Sequence, residues 1–329
     1  MVELTLEIGG KVYANWQTVS ITKRIDALAT GFHLECPDAF ALEDLDKPCR
    51  LLFRNDLILT GFIDHASRSG FESPVALSGR SKTADIVDSS VVEVKEYLQQ
   101  SLVALSRQLV KPFGLEVIDE AKANRPFEIW RVEPQESVFE TLQRAAAMRG
   151  VLLRSDPMGR LVITPPTPTP GSVRLVEREN LIDASVERDR SEVHSVYIVR
   201  PETHDWNAPP AAKAEDKSMR RYRPKIISLS DRATAQDLEL RANWERAHHR
   251  GRSLQVKATV HGWTDPAGEL WEVNTLVGFS SKRLGIDTDL LVSGVEFTYG
   301  EDGTLAKLQL TYPDGYALKP AEPRGPLQW

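Results

Sequence analysis

DLILTGF, residues 56–62, and DLLVSGV, residues 289–295, are the two stretches on which the fold turns. They lie 233 residues apart. Asp, Leu and Gly are shared, and the other four positions keep their chemistry. Each reads as a strand, with Gly61 or Gly294 where a bulge or a close backbone approach is wanted. Each is followed by a turn and a further alternating strand, PVALSGR (74–80) after the first and LAKLQLTY (305–312) after the second. A second echo pairs Ser20-Ile21-Thr22-Lys23 with Ser185-Val186-Glu187-Arg188. From serine to glycine is 41 residues in the first copy and 109 in the second, an excess of 68 that marks an insertion. The chain therefore reads as one β-unit made twice, the second copy interrupted.

Outward from the first heptad, residues 1–89 are β-structure. Leu4, Leu6 and Ile8 alternate with polar residues, and Gly9-Gly10 turns the chain. Val19 and Ile21 share one face of a strand, as do Phe32, Leu34 and Cys36, and Asn55-Asp56 signals a hairpin. Residues 90–170 change period. Leu102, Leu105 and Leu109 line a helix capped by Ser101 and followed by Gly114. Ser137 to Glu140 form a capping box for a second helix that Gly150 ends. VLLRSDPMGRLVI (151–163) is strand, turn, strand, and TPPTPTPG (164–171) is a stiff extended linker. Residues 171–200 and 254–316 make the second β-unit, including strands in IDASVER and SVYIVR. Between them, 201–253 hold an exposed mobile loop (203–225) and a helix opened by Ser230 or Asp231 and ended by Gly251. Residues 317–329 form a tail.

Bulk properties bound the function. The 329 residues suffice for two or more domains. A net charge of -6 argues against a general nucleic-acid binder. No run reaches the ~20 apolar residues of a membrane span. Cys36 and Cys49 are too few for a disulfide framework and read as free thiols.

Sites of known chemistry fail on mechanics. SGRSKTADIVDSS (78–90) has phosphate-gripping residue types, but Gly79 is its only glycine and Pro74, five residues earlier, has no amide proton. Gly79 reads instead as a sharp exit from a strand, with Ser81 or Thr83 capping a helical turn. Ser20 and Lys23 sit three apart on a strand and face opposite ways. His248, His249 and His261 diverge, and the helical pair reads as solvated. Asp287 and Asp289 lack a calcium loop and read as turn residues. No carboxylate pair stands out for glycoside hydrolysis. Hence no catalytic residue, cofactor or metal site is expected. Lys217, Arg220, Arg221, Tyr222, Arg223 and Lys225 form a candidate protein-contact loop in preference to a nucleic-acid site. Trp130, Trp244, Trp263 and Trp271 read as core.

LTGFIDHASRSGFESPVALSGRSKTADIVDSS (59–90), GWTDPAGELWEVNTLVGF (262–279) and VSGVEFTYGEDGTLAKLQLTYPDGY (292–316) resemble segments of the baseplate hub proteins of Mu-like contractile-tailed phages. The hub part of type VI spike proteins is similar. The resemblance implies a mixed, mainly β fold: two related β-barrels and smaller α/β parts. It marks Gly61, Gly79, Arg80, Asp88 and Gly294 as structural turn and repeat positions. A homotrimer would set six barrels in a pseudo-sixfold ring, adapting a three-fold central spike protein to the six-fold tail tube. Baseplate wedge proteins and the tape measure protein are further implied partners. The long needle that the type VI spike proteins carry is missing here, so the spike would be a separate chain. Localisation would be the virion tail baseplate, after assembly in the host cytoplasm. Three chains of -6 carry -18, and an acidic lumen would let DNA pass without specific binding. The rival readings are a tail-associated peptidoglycan hydrolase and the hub of a DNA-free R-type tailocin.

Overall fold

A computed structural model describes residues 2–36, 45–70, 73–93, 95–165, 167–202, 210–229 and 234–316. The tail 317–329, the first part of the 203–225 loop and the helix opening at 230–233 lie outside the described residues.

The first lobe is seven strands: β1 (Leu4–Ile8), β2 (Lys11–Tyr13), β3 (Thr18–Arg24), β4 (Gly31–Cys36), β5 (Pro48–Phe53), β6 (Asp56–Ser67) and β7 (Val75–Ser81). Gly9 and Gly10, at φ 55° and 82°, give the two-residue turn whose twist suits the β1–β2 hairpin. The β5–β6 turn falls on Arg54-Asn55, one residue earlier than the sequence signal, with both residues at positive φ.

The middle unit comprises α1 (Ala84–Asp88), β8 (Glu96–Ser101), α2 (Leu102–Val110), β9 (Val117–Asp119), β10 (Pro126–Arg131), α3 (Val138–Arg149), β11 (Leu152–Ser155) and β12 (Leu161–Thr164). Local chemistry fixes its helices. Ser101 caps α2. Ser137 and Glu140 form the capping box of α3, and Gly150 ends it in the left-handed region at φ 67°. The unit has its own apolar core around Leu102, Leu105, Trp130, Leu142 and Ile163.

Next come β13 (Arg174–Val176), β14 (Asp183–Arg188), β15 (Val196–Pro201), β16 (Ala212–Glu215), β17 (Pro224–Leu229), α4 (Ala235–Arg252), β18 (Leu254–His261), β19 (Leu276–Ser281), β20 (Ile286–Gly300) and β21 (Gly303–Thr311). The sequence grouped β15 with the second barrel. It pairs instead with β16 and β17 in a separate small sheet on which α4 packs. The expected loop 203–225 is thereby corrected, since its described part contains β16 and leads directly into β17. α4 is capped by Thr234 and runs through Gly251 rather than ending there. Gly251 is needed where α4 meets the turn at residues 313–316: a Cβ would stand 2.2 Å from the Gly315 nitrogen. The linker is extended as expected but docked, for Thr169 exchanges backbone hydrogen bonds with Asn274 and Leu276. Asp287 and Asp289 lie within β20, not in turns.

The duplication is visible in topology. Lobe one runs β3-β4-β7-β6-β5 and lobe two runs β14-β18-β21-β20-β19, with every neighbour antiparallel. The copies diverge beyond that. β5 adds β1 antiparallel, whereas β19 adds β13 parallel. Two separate closed barrels are not what forms. A β3–β20 ladder fuses both lobes into one 13-stranded sheet, and among the described residues the strand path closes no barrel.

One apolar core serves both lobes. Trp263, only 1% exposed, stands between Phe53 of the first lobe and Phe297 of the second, at ring separations of 4.9 and 5.4 Å. Its indole Nε1 donates to the Thr298 carbonyl at 3.0 Å. Trp130 and Trp271 are also buried, but Trp244 is only half-buried. Truncating Trp263 to Ala removes the ring that both lobes share. The expected cost is about 3–5 kcal/mol, seen as a lower denaturation midpoint. A loss under about 1 kcal/mol would show that the lobes stand without it.

Candidate assembly interface

β20 does the joining. Along one edge it pairs with β21 from Leu291 to Gly300. Its other edge changes partner midway. Residues 286–291 pair with β19, and residues 294–299 pair with β3. The change falls where the β20–β21 ladder bulges, between Val292 and Gly294. A bulge twists and bends its strand, which turns the second half toward a new neighbour. Backbone bonds fill the gap: Asn274 N–H donates to Val292 O, and Ile25 N–H to Ser293 O, each at 2.9 Å. Across the β3–β20 ladder Ile21 faces Phe297, and both are fully buried. On the outer side Ser20 Oγ donates to Glu296 at 3.0 Å. Beside the junction Lys23 meets Glu272 at 2.5 Å.

β6 is built the same way. It pairs with β7 from Gly61 to Ser67, bulges at Asp64, and pairs with β5 only as far as Phe62. Beyond Phe62 that second edge has no strand partner among the described residues. Nor does the outer edge of β14, the counterpart of β3.

Three ladder landmarks fix how the lobes correspond. The bulges are at Asp64 and Ser293. The last residues paired with the preceding strand are Phe62 and Leu291. The cross-sheet row Ile21–Phe32–Gly79–Ile63 matches Val186–Val256–Leu310–Val292. All three give an offset of 229 on β6 and β20, not the 233 of the sequence match. A slip of four preserves the two-residue alternation, so side-chain chemistry alone did not expose it. The Ser20/Ser185 echo is in register, for Ile21 and Val186 occupy the same place.

The glycines differ in what they permit. A Cβ on Gly61 would stand 1.9 Å from the Arg80 carbonyl oxygen, and one on Gly79 would stand 2.1 Å from that of Phe62. These two let the β6 and β7 backbones cross closely. Gly79 is therefore inside β7 and not an exit turn. Gly294 meets only the movable Gln309 side chain, at 3.1 Å. Arg80 leaves β7 to bond the bulge residue Asp64 at 2.9 Å and the α1 end residue Asp88 at 2.6 Å. The Arg80 bond holds the Asp88 carboxyl below its ordinary value. Thr83 occupies the N-cap position of α1, yet its hydroxyl meets Ser81 Oγ rather than a helix amide.

The basic segment splits in two. Lys217, Arg220, Arg221 and Tyr222 are exposed, Tyr222 at 87%. Arg223 instead donates to the carbonyls of Arg190 and Ser191, and the Lys225 ammonium lies 3.2 Å from His249 Nε2. The helix-end histidines are half-buried, not solvated. His248 stacks on Trp244 at 4.4 Å, and His249 on Tyr197 at 5.6 Å. Glu245 takes Arg241 at 2.7 Å and His249 at 3.2 Å. Burial would raise the Glu245 carboxyl, but these bonds outweigh it and hold it at about 2. Burial, with Arg252 and His249 adding repulsion, pushes His248 down to about 4. Among the described residues no group of three His, Cys, Asp or Glu is placed to hold a metal.

Family models match the chain in three segments. Residues 3–81 match the N-terminal domain of Mu phage baseplate assembly protein GpP-like proteins, 83–165 the second domain of baseplate hub protein gp44-like proteins, and 233–319 the fourth domain of GpP. The baseplate hub protein gp44 of Escherichia phage Mu is 30% identical, over 97% of this chain and 90% of that protein. The 43 kDa tail protein of prophage MuSo2 from Shewanella oneidensis is 32% identical with a TM-score of 0.86, covering 96% of this chain and 99% of that one. At the level of fold alone, the E. coli type VI secretion component c3393 is similar, with a TM-score of 0.60 and 11% identity over 97% of this chain and 80% of that one. The homologues are structural tail proteins and not enzymes.

Two measurements follow. Gly61→Ala and Gly79→Ala overpack backbone against backbone and are each expected to cost about 3 kcal/mol or more, against under about 1 kcal/mol for Gly294→Ala. Equal losses at all three would refute the close-approach assignment. For His248 the unfolded chain binds more protons than the fold between pH 6.5 and about 4, so stability falls on acidification across that window. Glu245 adds to the fall from 4.5 toward about 2. Between pH 7 and 5 the melting temperature should drop less in His248→Phe, which keeps the stack, than in the parent; equal drops would clear His248 of the effect.

Proposed function

Because this chain belongs to the baseplate hub family of Mu-like phages, and so is a structural component of the virion tail, we propose that three copies close into the ring at the centre of the baseplate. The observation that carries this reading is the pair of lobes with one strand order, joined head to tail in a single chain. A heterologous contact leaves one complementary edge at each end, and repetition closes it into a ring when the rotation allows. Three chains supply six lobes. Such a ring presents six near-equivalent lobes to a six-fold tube and only three copies of everything else to a three-fold spike.

The units that break the repeat supply the three-fold features. They are the middle unit from α1 to β12 and the unit formed by β15, β16, β17 and α4. The fold likeness to c3393, described as similar to the phage T4 tail proteins gp27 and gp5, supports a spike as one partner. The tube, wedge proteins and tape measure protein are the others proposed. The exposed Lys217, Arg220, Arg221 and Tyr222 are suited to an acidic protein face. Assembly takes place in the host cytoplasm. The acidic chain lets DNA traverse the lumen without holding it.

Light scattering or mass photometry should give three times the chain mass, with or without the separately expressed spike, and one spike assembly bound per ring. A chain that stays monomeric with the spike present would sink the ring. In the same buffers at low salt, duplex DNA should show no tight binding; tight binding that falls steeply with salt would contradict a passive lumen.

A further inference from the structure

The lobe junction inside the chain is a template for the contact between chains. β3 offers a strand edge, and β20 beyond its bulge receives it. Each has a counterpart in the other lobe. β14 offers the same edge, and β6 beyond Phe62 should receive it, yet among the described residues neither is paired there. Both counterparts are solvent-facing: Ser185, Glu187 and Arg188 on β14 are exposed, as are His65 and Ser67 on β6 and Arg68 next to it. An edge strand with open N–H and C=O groups is a ready-made template for pairing with another chain.

We infer that β14 of one copy adds antiparallel to the second half of β6 of a neighbouring copy, in the register that the β3–β20 ladder dictates. Within the chain Arg24 opposes Gly294, Thr22 opposes Glu296 and Ile21 opposes Phe297. Carrying this through the lobe correspondence sets Asp189 opposite His65, Arg188 opposite Ala66, Glu187 opposite Ser67 and Val186 opposite Arg68. On one face of that ladder the exposed acid Asp189 comes directly against His65, with Glu187 beside it opposite Ser67. The ladder is head to tail, so every copy uses one donor and one acceptor edge, and the large sheet runs on from chain to chain. The proposal rests on the ring reading above and adds the strands and register that build it.

The test is disulfide trapping in the full chain. Ser67→Cys with Glu187→Cys places two thiols on directly opposed, exposed strand positions, within the Cα reach of a disulfide. The native Cys36 and Cys49 are buried and form no disulfide. Under mild oxidation the double variant should pass into covalent dimers and closed covalent trimers on a non-reducing gel, reversed by reductant. Each single variant should stay monomeric on the same gel. Ser67→Cys with Asp183→Cys, displaced by four residues or ~13 Å along the strand, should cross-link poorly. Native trimers without the Glu187 cross-link, or with preferential Asp183 cross-linking, would overturn the register and leave the ring standing. A chain that remains monomeric in solution at every concentration would overturn both.

Discussion

Everything in this molecule hangs on one antiparallel ladder between residues almost three hundred positions apart. Val19 meets Tyr299 and Arg24 meets Gly294, and the buried side of that ladder is Ile21 against Phe297. Neither lobe has to find the other by loose docking. The backbone groups of β3 would be an exposed edge without β20, and those of β20 past its bulge would be bare without β3. The Trp263 ring, held between Phe53 and Phe297, extends this hydrogen-bonded seam into the core. Directional bonds set the register while apolar burial supplies most of the free energy.

The large insertion in the second lobe is tolerated because it enters and leaves at adjacent points. Arg188 pairs with Leu254, and Asp189 N–H donates to Ser253 O at 3.0 Å. The β14–β18 pair is thus joined at its end whatever lies between, so the insertion perturbs the sheet no more than a long hairpin loop would. What it carries, a small sheet under α4, is anchored to the lobe by the tight Gly251–Gly315 contact. The two lobes can therefore stay alike at their edges while differing in everything they present to partners.

Local chemistry was legible in the sequence, and non-local pairing was not. The capping box at Ser137 and Glu140, the left-handed Gly150 and the Gly9-Gly10 turn each need only neighbouring residues, and each formed as read. The duplication was legible too, because hairpins repeat their turn and alternation signals. Its register was not. Alternation has a period of two, so a match displaced by four residues looks as good as the true one. The close backbone approach expected at Gly61 is there, but Gly79, which reads as a strand exit, is its partner in that crossing, and Gly294 meets only a side chain. The region around β16 was misread because AKAE is short, polar and half-exposed, the composition of a loop. His249 of α4 was misread because the ring that stacks on it, Tyr197 of β15, is some fifty residues earlier in the chain.

The seam has a consequence in time as well as in space. β3 leaves the ribosome some 270 residues before its partner Gly294 is made. At about 5–20 residues per second, its edge waits unpaired for on the order of tens of seconds. Neighbouring ribosomes on one message carry chains at different stages, and a finished β20 on one offers the very groove that a waiting β3 on the next requires. Exchange between nascent siblings would use the same contacts as correct folding, the condition under which domain swapping arises.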